Sequence, residues 1–332
     1  MSYKIGSFNV RNLSYGSGRD LKRIARIINK EDLDVVALQE VLSEGKALTG
    51  IHSNSPTMEA KAYERTLKYW LRGDWGIAWK SPQLRAKDYP YIEKEQRNEG
   101  YAFLWKKNKF ELIKNEKGEG PVIYNNYAIS PEEGQIRLKR DPCYGRFRVK
   151  HCNAELRLVT VHLIYGKPQG QNMSIGIDGG PIKMRQNEFK VVAGKIYPKI
   201  SEYYKDESCR VPYTIILGDY NLNLRKSGIL NAPVPEVICF DKNGRELRGA
   251  QEGYCKIYTI QEELTTLKKE EAGYANNYDH FSYDERVKKH LVKQVKRIEA
   301  VSETGSPEEQ DFEKYKKEVS DHVPVVLEID FK

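Results

Sequence analysis

No apolar run in the 332 residues approaches the roughly 20 that a membrane-spanning helix needs. Cysteine is scarce: Cys143, Cys152, Cys209, Cys239 and Cys255 are an odd number without short paired spacings. That argues against a disulfide framework and against a zinc site. No segment repeats at a fixed period, and no linker-like stretch splits the chain. The expectation is one domain over 1–332, with insertions near 43–98, 163–183, 225–256 and 284–318. The opening Met1-Ser-Tyr-Lys-Ile-Gly-Ser-Phe-Asn9 turns to strand at once, leaving no room for a signal peptide. A cytoplasmic protein with free thiols is the simplest expectation.

What is present suits a sizeable core: 39% hydrophobic residues beside 31% charged ones. The formal net charge of +8 favours an anionic partner, because Lys and Arg neutralise phosphate and steer encounter.

The most informative stretch is Tyr213-Thr-Ile-Ile-Leu-Gly-Asp-Tyr-Asn-Leu-Asn223. Thr214 to Leu217 is β-branched and apolar, as a strand covered on both faces should be. Gly218 permits a tight backbone path, after which Asp219 and Asn221, two apart, leave the strand end on one side. A carboxylate and a carboxamide at the mouth of a sheet suit a hard cation or a phosphate; an Asx-rich turn closing the strand is the plainer alternative.

The same pattern, an apolar strand ending in a chemical group, recurs. Lys4 to Val10 carries Asn9, and Asp34-Val-Val-Ala-Leu-Gln-Glu40 ends in Glu40. Between them Leu21, Ile24, Ile27 and Ile28 recur at helical spacing, giving a strand–helix–strand opening. Met58 to Leu71 reads as helix, Asp74 to Trp79 as strand and Lys80 to Asn98 as a polar loop. Gly100 to Trp105, a Lys-Lys-Asn-Lys turn and Phe110 to Ile113 suggest a hairpin with Glu99 at its entrance. Arg140 to Val149 leads by a second hairpin into Leu156-Arg-Leu-Val-Thr-Val-His162. A Gly-rich loop over 166–181 suggests a flap before a helix from Met184 to Tyr204. Residues 225–256 read as irregular, 284–301 as a basic helix, and 306–317 as a mixed helical stretch. Asp279 lies inside a short strand, and Asp321-His322 precedes the last one.

Strand ends thus present Asn9, Glu40, His162, Asp219, Asn221, Asp279, Asp321 and His322. Ligands of α/β architectures collect outside strand ends, so these groups are placed to converge. An oxygen-rich set suits Mg²⁺, with Mn²⁺ as the alternative, rather than zinc. Two histidines supply a general base and a general acid near neutral pH. A hard cation and an acid–base pair are the equipment for hydrolysing a phosphate ester with water.

These residues resemble the endonuclease/exonuclease/phosphatase superfamily typified by deoxyribonuclease I. The matching pieces are Ser7-Phe-Asn9, Leu38-Gln-Glu40, Asn98-Glu-Gly-Tyr-Ala-Phe103, Arg140-Asp-Pro142, Val161-His162, Gly218-Asp-Tyr-Asn221, Tyr278-Asp279 and Ser320-Asp-His322, all in the family's order. The resemblance implies an α/β fold with four layers, two packed β-sheets flanked by helices, with the site at one end of the sandwich. It implies Glu40 as the principal metal ligand with Asn9 and Asp321 close by. Asp219 and Asn221 would hold the scissile phosphate, a second metal or the attacking water. His162 and His322 would be the acid–base pair, oriented by Glu99 and Asp279, and Arg140 would grip a phosphate oxygen. The implied activity is metal-dependent cleavage of phosphodiesters in nucleic acid, DNA ahead of RNA. A phosphatase or phosphodiesterase for a small molecule or lipid headgroup is the alternative.

The sequence also departs from that pattern. Where deoxyribonuclease I has an arginine for the minor groove after Gln-Glu-Val, this chain has Leu42. Arg97 stands near the place of its sugar-stacking tyrosine. Asn276-Asn-Tyr-Asp279 lacks the Asn-x-Gly-x-Arg signature of the abasic-site nucleases. His52, His151, His280 and His290 match no motif and are read as surface or satisfied histidines.

Overall fold

Alternation along the strands decides which side chains meet across the molecule, so the site follows from strand order and register. The computed structural model describes residues 2–13, 18–43, 58–80, 98–125, 127–130, 136–164, 180–202, 210–224, 233–247, 253–304 and 310–331. The chain opens with β1 (Ser2–Leu13), α1 (Leu21–Lys30) and β2 (Val35–Ser43). Asp20 caps α1 by accepting the Lys22 and Arg23 amides, and the strands run parallel, as a crossover allows.

Next come α2 (Met58–Trp70), β3 (Trp75–Lys80), β4 (Asn98–Lys106) and β5 (Phe110–Ile113). The expected β4–β5 hairpin does not form. β4 pairs with β2 and β3, which occupy both its edges, so the Lys-Lys-Asn-Lys turn instead carries the chain to a second sheet. The short β6 (Val122–Ile123), β7 (Ala128–Ser130) and β8 (Ile136–Arg137) precede β9 (Cys143–Val149) and β10 (Ala154–His162), which form the second hairpin as expected. α3 (Gly180–Val191) passes through a π-helical turn, Val192–Ile196, into α4 (Tyr197–Glu202).

β11 (Val211–Asp219) lies parallel to β10. β12 (Val237–Phe240), β13 (Glu246–Leu247) and β14 (Cys255–Ile260) bring regular strands to the region read as irregular, followed by β15 (Asp279–Asp284). The basic stretch expected as one helix splits into α5 (Glu285–His290) and β16 (Val292–Arg297). Val292 and Val295 pack on the core from β16, and pairing with β17 (Val325–Asp330) outweighs the helical charge pattern. α6 (Phe312–Glu318) lies between them.

One sheet has the order β16-β17-β1-β2-β4-β3, the other β13-β12-β14-β15-β11-β10-β9-β5 with β6 also on β9. Ile5, Ala37 and Phe103 face Leu158, Leu217 and Phe281 between the sheets. α1 and α2 cover the outside of the first sheet, α3 and α4 that of the second. This is the four-layer α/β sandwich expected. The four described cysteines carry free thiols. The loop over 80–98 and the flap over 166–181 lie, but for their ends, outside the described residues, as does Cys209. No described helix is long and apolar enough to cross a membrane.

Candidate active site

Going up the inter-sheet face, the core turns from apolar to polar to charged. Above Ile5, Ala37 and Leu158 come Ser7, Gln39 and Thr160, each two residues further along its strand. The Gln39 amide donates to Thr160 Oγ1 at 2.9 Å and to Ser7 Oγ at 3.2 Å, satisfying a buried polar layer. Two residues higher the same faces present Asn9, His162 and, from β11, Asp219. The site is the polar end of the core between the sheets.

Glu40 by alternation belongs on the other face of β2. A bulge corrects this: Gln39 pairs with Tyr101 but Val41 with Gly100, and Glu40 has φ +56°. The extra residue re-aims its carboxylate into the site, a recurrent use of bulges. Glu40 Oε1 accepts from Asn9 Nδ2 at 2.9 Å and Oε2 from the Asn12 amide at 3.1 Å. Gly218 has a similar local role on β11: its φ is +140°, and a Cβ there would lie 2.0 Å from Val161 O.

Asp219 Oδ2 is the meeting point. Asn9 Nδ2 donates to it at 3.0 Å, His162 Nε2 lies 3.5 Å away and His322 Nε2 3.6 Å. Each imidazole is held at its other nitrogen: His162 Nδ1 lies 2.9 Å from Glu99 Oε2, and His322 Nδ1 is 2.8 Å from Asp279 Oδ2. Burial works against charge on His322, but Asp279 and Asp219 outweigh it and raise its pKa well above the ordinary imidazole value. Burial likewise pushes the Glu99 carboxyl up, yet Arg140 and His162 hold it well below the usual carboxylate range.

Three expected residues stand differently from their reading. Arg140 is engaged by Glu99, with Nε 2.5 Å from Oε2 and Nη2 donating to Oε1 at 2.8 Å, and Nη1 lies 3.3 Å from Leu163 O. It backs the histidine's partner from inside instead of reaching toward a phosphate. Asn221 donates Nδ2 to Leu163 O at 2.9 Å, and its amide donates to Asp219 Oδ1 at 2.8 Å, the Asx turn of the plainer reading. Asp321 comes to the same end of the sandwich, but its carboxylate pairs with Arg11 at 3.3 Å. Arg11, unnoticed in sequence, has φ +39° and lies two residues after Asn9 at the same end of β1.

Among the described residues, Glu40, His162 and Asp219 offer donor atoms within 4.8 Å of one another. The two carboxylates among them fit a hard divalent cation, and zinc would call for more nitrogen or sulfur. Asn9 turns its Nδ2 to both carboxylates and accepts the Arg11 amide at Oδ1 at 2.9 Å, so it aligns them. Of the unassigned histidines, His280 is buried, and its Nε2 donates to Leu222 O at 2.8 Å.

The family model of the "Endonuclease/Exonuclease/phosphatase family" matches residues 6–233. A deoxyribonuclease of Thioalkalivibrio sp. (strain K90mix) is 25% identical over 163 residues, 49% of this chain; the match spans 35% of that protein's length, about a third. Among solved structures, an endonuclease/exonuclease/phosphatase family protein from Leptotrichia buccalis C-1013-b superposes with a TM-score of 0.51 at 15% identity, covering 99% of this chain and 100% of the other. ANGEL2, a 2′,3′-cyclic phosphatase in complex with adenosine-2′,3′-vanadate, superposes at 0.52 and 13% identity, covering 99% and 95%. At such identities these likenesses speak for the fold.

Proposed function

Because the chain belongs to the endonuclease/exonuclease/phosphatase family, whose chemistry is phosphate-ester hydrolysis, we propose that it is a divalent-metal-dependent phosphodiesterase cutting nucleic acid, DNA ahead of RNA. The observation that carries this is the convergence of Glu40, Asn9 and Asp219 with two separately oriented imidazoles on one buried patch. Glu40 and Asp219 would hold the cation, Mg²⁺ or Mn²⁺, with Asp321 the next oxygen donor and Asn9 aligning the two carboxylates through Nδ2. When bound it supplies positive charge against the charge that builds on the phosphoryl oxygens.

The chain's own residues manage the protons. His162 and His322 present Nε2 to the same space while Glu99 and Asp279 hold their Nδ1 sides. One imidazole takes the proton of the attacking water and the other gives one to the leaving oxygen. Glu99 and Asp279 fix the tautomers and stabilise each imidazolium as it forms. Arg140 keeps Glu99 ionised for that work.

Leu42 in place of a groove-reading arginine, and an Arg140 turned inward, favour a second reading. In it the substrate is a small phosphate ester, such as a cyclic phosphate, an inositol phosphate or a lipid headgroup. Mg²⁺-dependent nicking of supercoiled plasmid, lost in Glu40→Gln, is expected. Intact plasmid beside hydrolysis of nucleoside 2′,3′-cyclic phosphates or inositol phosphates would replace the first reading with the second.

A further inference from the structure

α3 carries two fully buried charged side chains one turn apart, Arg185 and Glu188, on the side that meets the strand ends of the second sheet. Burying a carboxylate and a guanidinium is unfavourable unless each finds partners, and both find backbone of the catalytic end. Glu188 Oε1 accepts the Lys139 amide and Oε2 the Ile164 amide, both at 2.7 Å. Arg185 Nη1 donates to Asn221 O at 2.6 Å. Lys139 adjoins Arg140, Ile164 follows His162 by two residues, and Asn221 follows Asp219 by two.

We propose that Arg185 and Glu188 are positioning residues, a charged staple that sets the spacing of the three segments bearing Arg140, His162 and Asp219. One carboxylate spans two segments, so it fixes where Arg140 stands relative to the His162 and Leu163 carbonyls it approaches. Arg140 fixes Glu99, and Glu99 fixes the ring of His162. Arg185 holds the third segment, whose Asn221 side chain donates back to Leu163 O. The staple touches neither substrate nor reacting atoms. It rests on the functional reading above, since it positions the groups named there.

The test uses the full chain, the substrate it hydrolyses among those named above, and two measurements. In the unaltered protein the Lys139 and Ile164 amide protons, bonded to a carboxylate, should resonate downfield of the other loop amides. In Glu188→Gln one amide loses its acceptor and should move upfield, the Arg140 Nε proton should shift with it, and kcat should fall about tenfold while KM stays within about twofold. Arg185→Lys, a milder change, should lower kcat by less and leave the Lys139 and Ile164 shifts in place. A folded Glu188→Gln with shifted amides and unaltered kcat would overturn the positioning role and leave the phosphodiesterase reading intact. Unremarkable amide shifts in the unaltered protein would overturn the staple itself. No hydrolysis of any of these esters by the unaltered protein would remove the functional reading, and this inference with it.

Discussion

His162 and His322 face the same carboxylate oxygen, their Nε2 atoms lying 3.5 and 3.6 Å from Asp219 Oδ2. The two rings come from β10 in the second sheet and from the loop before β17 in the first, so each sheet contributes one imidazole. Each has its own acid behind it, Glu99 from the first sheet and Asp279 from the second, so the partners cross between sheets. That cross-pairing makes the placement of both imidazoles depend on how the two sheets dock.

Replacing either histidine tests the proton roles. His162→Ala and His322→Ala should each lower kcat by about 10²–10⁴-fold. The double variant should be little worse than the poorer single one, because groups acting as a unit are not additive. Single variants with full metal-dependent activity would take both imidazoles out of the mechanism.

Metal binding can be read without turnover. Calorimetric titration of Mn²⁺ into the unaltered chain should give binding heat that weakens at least about tenfold in Glu40→Gln. Equal affinity in the two proteins would remove Glu40 from the site and leave the bulge at residue 40 without a function.

The bulge also breaks the alternation that makes the other strand-end groups legible. Asn9, His162 and Asp219 were legible because strands have period two, and each continues an inward apolar series: Ile5-Ser7-Asn9, Leu158-Thr160-His162, Leu217-Asp219. The same count points to Ser7 and Thr160, which form the polar layer beneath them with Gln39. Glu40 is legible as the carboxylate that ends an apolar strand, but it breaks that parity, and no periodicity foretells a residue at φ +56°. The pairing of β5 was illegible because a short turn looks the same whether it closes a hairpin or carries the chain to a second sheet. What decided it was that both edges of β4 are occupied, by β2 and β3. Arg185 and Glu188 lay one turn apart on a recognised helix, but charges on a helix ordinarily face water. Only the tertiary fold shows them buried.

Gly218→Ala should be among the most damaging single-methyl changes in the chain. The added carbon would lie 2.0 Å from a backbone oxygen that cannot move without displacing β10, and φ +140° is closed to a side chain. The expected loss is at least about 3 kcal/mol, or failure to fold. A melting temperature unchanged by the substitution would show that the β10–β11 approach is looser than described.

His280 gives the fold a pH dependence separate from catalysis. Burial lowers its pKa to about 4, from an ordinary value near 6.5, with Leu222 O as its partner. The unfolded chain therefore takes up the proton first as pH falls. Its contribution to stability is complete above pH 6.5, declines between 6.5 and 4, and is level below that. The shift corresponds to about 3 kcal/mol at most. Urea unfolding of the unaltered protein and of His280→Gln should differ most at neutral pH and converge toward pH 4. A difference constant across that range would mean that the ring is not held neutral.

Salt separates the two substrate classes. Each phosphate that Lys or Arg neutralises on a duplex releases counterions, so affinity falls with a log–log slope of about −0.9 per contact. Two such contacts predict a loss of about tenfold in kcat/KM between about 50 and 200 mM salt, and four predict about a hundredfold. A small ester neutralised at one phosphate in a pocket has little counterion atmosphere to release and should lose only a few-fold. The formal charge of +8 leaves room for several contacts but does not say that they lie on the path of the substrate. The measurement is kcat/KM for plasmid or duplex oligonucleotide against salt at saturating Mg²⁺. The same series with a small phosphodiester corrects for any effect of salt on the metal. A steep slope confined to the polymer supports nuclease action by contacts outside the pocket. Parallel shallow slopes would mean that the protein recognises one phosphate at a time, and the polymer reading would then give way to the small-ester one.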